Sequence, residues 1–227
     1  GAPSLEELCA GKKDIVIISS DHTRPVPSRV TMPILLHHIH SAAPEARVRI
    51  LVATGMHRPS THEELVNKYG EEIVANEEIV MHVATDDSMM KKIGTLPSGG
   101  ECIINKIAAD CDLLLAEGFI EPHFFAGFSG SRKSVLPGIA SYKTIMYNHN
   151  GQFVNDSHSR AGNLCHNHVS EDMFAAAEMA HLAFVLNVVL NGKHEVIGSF
   201  AGDIHKAHEA GCEFVKSLAG VEPVECE

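Results

Sequence analysis

Tryptophan is absent from this 227-residue chain and tyrosine occurs only three times. The six cysteines, Cys9, Cys102, Cys111, Cys165, Cys212 and Cys226, stand far apart and form no C-x-x-C pair. That spacing lacks the usual zinc and thiol-redox signatures, and reduced thiols are the expectation. Positive charge is scarce: 18 Lys and Arg against 29 Asp and Glu, a formal net charge of −11. The deficit argues against a general affinity for nucleic acid or an anionic membrane. Any bound anion must be held locally, by a few well-placed cations or backbone N–H groups. No apolar stretch approaches the ~20 residues of a membrane span. The polar start, "GAPSLEELCAGKKD", carries no signal-peptide pattern, so a cytoplasmic chain is expected.

What is present is a globular composition, 44% apolar and 21% charged, and 16 histidines. Histidine supplies metal ligands and proton carriers near neutral pH. The chain reads as repeated strand, loop and helix. Buried strands are expected at "DIVIISS" (14–20), "VRILVA" (48–53), "EIVMHVA" (78–84) and "CDLLLAEGF" (111–119). Helices are expected from Ser28 as N-cap, from a Ser60/Glu63 capping box ending at Gly70, through "GIASYKTIMYNH", and from Ser170 as cap. "AFVLNVVLNGKHEVIGSFAG" reads as two strands about an Asn191-Gly192 turn, and "DIHKAHEAGCEFVKSLAG" as the last helix. The pattern predicts one α/β domain over 1–227, with a mostly parallel Rossmann-like sheet, helices on both faces and a C-terminal β-hairpin.

In such sheets ligands collect beyond the carboxyl ends of the strands. Three loops there carry unusual polar residues: "SDHTRPVPS", "ATGMHRPS" and "GFIEPHFFAGFSGSRKS". The third tempts two readings. Gly127, Lys133 and Ser134 sit at phosphate-loop spacing, but Arg132 replaces the glycine that lets the backbone curl round a phosphate. Gly127-Phe128-Ser129-Gly130-Ser131 resembles a nucleophile elbow with serine in place of its last glycine. The bland alternative is a glycine-rich turn packed by Phe124, Phe125 and Phe128. In the first loop Asp21 and Arg24 either recognise a carboxylate or pair with each other. His57, next to a helix start, becomes an acid/base partner if it shares a crevice with His123. His37, His38 and His40 read as a solvated helix face. Cys165, His166 and His168, near His158, leave a metal reading open without matching structural zinc spacing.

Together, "SDHTRPVPS", "ATGMHRPS", "EPHFFAGFSGSRKSVLPGIA" and "NHN", with "AGNLCHNHVSEDM", "FVLNVVLN" and "FAGDIHKAH" more loosely, resemble the nickel-pincer-nucleotide lactate racemases and their 2-hydroxyacid racemase and epimerase relatives. The resemblance covers nearly the whole chain. It implies that Lys133 joins covalently to the cofactor, a pyridinium mononucleotide with two sulfur-containing arms around nickel, and that His149 ligates the metal. It implies His57 and His123 as the two acid/base histidines and Arg24, with Asp21 beside it, as the substrate-carboxylate ligand. Asp21, His22, Thr23, Arg24 and Pro137 would line the cofactor. The expected partners are a small 2-hydroxy acid and cofactor-making proteins, with neither nucleic acid nor membrane. The chain looks like the N-terminal, cofactor-bearing domain, with the family's C-terminal domain absent, and little activity is expected of it alone. "GNLCHNH" departs from the family's commoner proline-containing version and leaves the hydroxy acid open. A non-catalytic binding domain and a hydrolase using the same crevice are the rival readings.

Overall fold

The computed structural model describes residues 3–130 and 132–219. Its elements run α1 (Leu5–Cys9), β1 (Asp14–Ser20), α2 (Ser28–Ala42), β2 (Arg47–Ala53), α3 (His62–Tyr69), α4 (Glu71–Asn76) and β3 (Glu78–Met81). A small hairpin follows, β4 (Met90–Thr95) and β5 (Glu101–Asn105), then α5 (Lys106–Asp110) and β6 (Leu113–Phe119). Beyond it lie β7 (Pro122–His123), β8 (Gly127–Phe128), α6 (Arg132–Val135), α7 (Tyr142–Asn148), α8 (Gly151–Val154), α9 (His168–Met179), β9 (Leu182–Leu190), β10 (Val196–Gly202) and α10 (Lys206–Ala219).

Six strands form the main sheet in the order β10-β9-β6-β1-β2-β3. All neighbours are parallel except β10 and β9, which make the expected hairpin. β1 is central, with Ile17 facing Ile50 of β2 on one side and Leu115 of β6 on the other. Its apolar run is continuous because both faces are covered. Ile15 and Ile17 join Met32, Leu35 and Ile39 of α2 in one layer. Val16 and Ile18 join Val135, Ile139 and Met173 in the other. Each such buried side chain contributes about 1.5–3 kcal/mol relative to exposure. Among the described residues no helix is long and apolar enough to cross a membrane.

The chain leaves β1 outward through β2 to β3, then re-enters at β6 on the other side of β1 and moves on to β9. Crossovers therefore diverge between β1 and β6, and a crevice opens beyond their carboxyl ends. All three polar loops start at that rim.

Several boundaries differ from expectation. Pro27, not Ser28, is the N-cap of α2. The Ser28 hydroxyl instead donates to Glu117 Oε1 at 2.5 Å. The capping box of α3 is Thr61 with Glu64, one residue later than Ser60 and Glu63, because the Ser60 hydroxyl is bonded to His22 Nδ1 at 2.9 Å. Gly70 ends that helix with φ 93°, as a C-terminal glycine does. Asn167, not Ser170, caps α9. α7 begins only after Ser141, whose hydroxyl accepts from the Thr144 N–H. The loop between β9 and β10 spans residues 191–195, where the Asn191 side chain accepts from the Lys193 and Glu195 N–H groups and His194 takes the positive φ. The two-residue turn at Asn191-Gly192 is thus replaced by a longer, side-chain-capped one. The β4–β5 hairpin was not foreseen.

Candidate active site

A cavity of about 530 Å³ fills the crevice. Its walls bring together Asp21 and Arg24 from the loop after β1, His57 from the loop after β2, and His123 and Lys133 from the segment after β6, with His149 at the end of α7. Pro137 lines it too, after a cis peptide bond. His22 does not reach it: the ring turns to Ser60, with Glu64 at 3.7 Å, and lines an adjoining groove. Thr23 acts from behind, its N–H and hydroxyl donating to Asp21 Oδ1 at 3.0 and 2.6 Å.

Asp21 is 1% exposed, and its second oxygen receives the His57 Nδ1–H at 2.7 Å. A carboxylate in that position fixes the ring orientation and stabilises its protonated form. His123 sits differently. Its Nδ1 accepts from the Ala126 N–H at 3.2 Å, and its ring stacks on Phe124 at 4.7 Å. Burial first, then the charges of Lys133 and Arg24, pushes its pKa down to about 3. Arg24 itself pairs with no carboxylate among the described residues. Its fork stays open for a ligand, so the local Asp21–Arg24 ion pair does not form.

Phe125 separates the other two groups. Its ring lies 5.9 Å from Lys133 Nζ and 5.2 Å from the His149 ring. Burial, reinforced by Arg132 and Arg24, lowers the Lys133 pKa to about 7. Half the amines are then neutral near physiological pH, the form that makes covalent bonds. Burial and Lys133 lower His149 to about 4. His149 Nδ1 is buried and has no hydrogen-bond partner among the described residues. A buried imidazole nitrogen with no protein partner has the character of a metal ligand. The cavity closes tightly beneath: a Cβ on Gly138 would meet Ser134 O at 2.3 Å. These residues fit an attached, metal-bearing nucleotide of the implied type.

The loop holding Lys133 is built by its neighbour. Arg132 is 2% exposed, and its Nη1 and Nη2 donate to the carbonyls of Ser129, Ala126 and Phe128 at 3.0 to 3.1 Å. It also reaches the Ser170 hydroxyl at 3.1 Å and stacks on Phe174 at 4.7 Å. The loop thus turns carbonyls inward onto a cation, the reverse of a phosphate loop, whose backbone N–H groups face an anion. Gly130, at φ +123°, passes so close that a Cβ would lie 2.6 Å from His208. Ser129 is no free nucleophile: its hydroxyl donates to Phe119 O at 2.8 Å and accepts from the Glu121 N–H at 2.9 Å.

Sequence reading missed Glu117, a strand residue with no exposure. It accepts from Ser19 and Ser28 at 2.5 Å and from Thr31, while Tyr69 donates to Ser19 at 2.8 Å. These hydroxyls flank both ends of the loop that carries Asp21 and Arg24. A glutamate inside an otherwise apolar strand was the available signal. Among the described residues no three His, Cys, Asp or Glu gather as a metal site. Cys165, His166 and His168 do not form one, although the His158 and His166 rings lie 5.7 Å apart.

Residues 1–162 match the family model "Lactate racemase N-terminal domain". The chain is 67% identical over 227 residues to a lactate racemase of Lactiplantibacillus plantarum, covering all of this chain and 54% of that protein. It is 53% identical over 221 residues to a lactate racemase of Thermoanaerobacterium thermosaccharolyticum, covering 97% of this chain and 52% of that one. The solved lactate racemase apoprotein of T. thermosaccharolyticum superposes with a TM-score of 0.95 at 53% identity, over 96% of this chain and 52% of its own. A Thermotoga maritima protein, at 22% identity and a TM-score of 0.78 over 96% of this chain and 60% of its own, shares the fold. The chain spans about half the length of the lactate racemases it matches. With the crevice, the family model and these relatives in agreement, the chain belongs to the lactate racemase N-terminal domain family.

Proposed function

We propose that the full-length protein racemises lactate or a similar 2-hydroxy acid in this crevice, and that this chain supplies the cofactor-holding half. The observation that carries the reading is the meeting of an unpaired Arg24, two histidines, a neutral-leaning Lys133 and an unpartnered His149 nitrogen around one cavity. Lys133 and His149 would hold a nickel-pincer nucleotide, Lys133 by covalent attachment and His149 as metal ligand, with Asp21, Thr23, Arg24 and Pro137 around it. Bound there, that group would supply a hydride acceptor for C2, chemistry no side chain offers. Unpaired cysteines among the described residues support a reducing, cytoplasmic setting.

The chain's own residues then do the rest. Arg24 clamps the substrate carboxylate with a planar fork. His57, its Nδ1–H given to Asp21, presents a bare Nε2 and takes the hydroxyl proton. The imidazolium that forms is stabilised by Asp21. His123, its Nδ1 occupied by the Ala126 N–H, carries its neutral-form proton on Nε2 and from there hydrogen-bonds the oxygen on C2, while the proton returned to that oxygen is the one His57 took up. C2 becomes planar as it is oxidised, so either face can be restored while Arg24 keeps hold. The two histidines follow β2 and β6, strands on opposite sides of β1, which supports a base and a hydrogen-bond donor on two sides of the substrate.

The test is co-expression of the full-length protein with cofactor-making enzymes, followed by intact mass, nickel analysis and a chiral lactate assay. A mass gain lost in Lys133→Ala, bound nickel and racemised lactate are expected. Absence of both the mass gain and nickel sinks the reading.

A further inference from the structure

A second cavity, of about 510 Å³, lies against the first, with Arg24 and Val26 shared between them. It sits between the loop after β1, the first turn of α2 and the last turn of α3, and Arg24, Arg29 and Lys68 line it. None of the three pairs with a carboxylate among the described residues. Elsewhere on this acidic chain Arg47, Arg49, Arg58, Lys91, Lys92 and Lys143 are each bonded to one. The carboxylates near the groove are already filled. Glu64 takes two bonds from Arg58 and one from the Thr61 N–H. Asp21 is taken by His57 and Thr23, and Glu117 by three hydroxyls.

Two of the cations are also held in place. Arg29 Nε and Nη2 donate to Asn67 O and Val66 O at 2.8 and 2.9 Å, leaving Nη1. Lys68 Nζ donates to Ser20 at 3.2 Å. The first turn of α2 carries no acidic residue, and its Pro27 N-cap gives no side-chain bond. Positive charge from three separate elements therefore surrounds a space of ligand size whose one lining carboxylate, Glu64, is already bonded to Arg58 and the Thr61 N–H.

We infer that this groove binds a phosphate-type oxyanion, with Arg29 and Lys68 as its dedicated cations and Arg24 shared with the main cavity. Three cations from three elements suit an anion with several outward oxygens better than a two-oxygen carboxylate. The shared wall lets the anion be either the phosphate of a mononucleotide seated in the main cavity or free phosphate. The nucleotide version rests on the proposed function; the free-anion version does not.

Isothermal titration calorimetry on the full-length apoprotein, with inorganic phosphate, tests it. Arg29→Gln with Lys68→Gln is expected to weaken binding about tenfold or more, with Arg29→Lys keeping most of it and Lys133→Gln leaving it unchanged. Should the double variant not fold, Arg29→Gln alone, at an exposed side chain, is expected to lose about threefold. Equal affinity for phosphate in wild type and either Gln variant overturns the inference, as does loss of binding in Lys133→Gln only. A pyridine mononucleotide and its dephosphorylated nucleoside separate the two sources. If the double variant weakens the mononucleotide alone of this pair, the ligand's own phosphate sits here. If it weakens inorganic phosphate but neither of the pair, the site takes a free anion. Failure of Lys133 to gain cofactor mass leaves the phosphate result standing.

Discussion

Asp21 Oδ2 and His57 Nδ1 stand 2.7 Å apart, with the carboxylate 1% exposed and the ring partly in the cavity. Thr23 saturates the other carboxylate oxygen. Asp21 is thereby turned toward His57, and Arg24 is left to meet a ligand. Asp21→Asn keeps the shape and removes the charge that selects the His57 tautomer. In the cofactor-loaded full-length protein it is expected to lower kcat/KM for the hydroxy acid by about 10²- to 10⁴-fold, with nickel content unchanged. Steady-state kinetics beside metal analysis checks this.

Glu117 holds Ser19, Ser28 and Thr31, and so both ends of the Asp21 loop. Glu117→Gln swaps one acceptor for a donor and is expected to cost about 1–3 kcal/mol, and Glu117→Leu more, since the Ser19 and Ser28 hydroxyls then lose their acceptor and Thr31 keeps only the Pro27 carbonyl. Urea midpoints of the two variants give the comparison; no change in either would remove Glu117 from this role.

Arg132 has carbonyls, a hydroxyl and an aromatic face as partners rather than a carboxylate. Arg132→Lys cannot span them with one ammonium. A loss of about 3 kcal/mol is expected, with slower covalent loading at Lys133, read by denaturation and by the time course of intact mass.

Acid sensitivity follows from His82, which has no exposure. Its Nε2–H donates to Ala140 O at 3.0 Å and its Nδ1 accepts from Asn105 at 3.2 Å, so the neutral ring is fully bonded. Burial lowers its pKa from 6.5 to about 4. The unfolded chain therefore takes up the proton first. The stability this ring lends is complete above pH 6.5 and is lost as pH falls toward about 4, at about 1.4 kcal/mol per unit. Urea midpoints from pH 7 to pH 4.5 should show a slope that diminishes in His82→Gln.

Lys133 is expected to outpace exposed lysines with a small acylating reagent at pH 7.5, with a labelling rate that rises through about pH 7. Peptide mapping of the apoprotein across pH measures it. A midpoint near the ordinary lysine value of about 10 would refute the desolvation argument.

Much of the fold was legible because β1 and β2 are apolar on both faces, so their bounds could be read within a residue. The capping box of α3 was legible only as a class: Ser60 with Glu63 and Thr61 with Glu64 satisfy the same pattern. The tie is broken by His22, 38 residues earlier in the chain, which takes the Ser60 hydroxyl. The β4–β5 hairpin was hidden because β4 exposes Lys91 and Lys92 side by side and shows no alternation, while the alternation of β5 runs over only five residues.

The same division holds at the site. Order along the chain determined which loops carry chemistry, because a polar, proline- and glycine-stiffened turn directly after a buried strand has nowhere to lie except the sheet's carboxyl rim. Which side chains point into the cavity was decided by bonds between residues far apart in sequence. His22 turns out to Ser60, and Arg132 turns in to its carbonyls and to His208, 76 residues away. Glu117 reaches back across 86 to 98 residues for its hydroxyls. A local pattern can show that a polar group is present, but its orientation depends on where its buried partner lies, and only the folded chain brings that partner within hydrogen-bond reach.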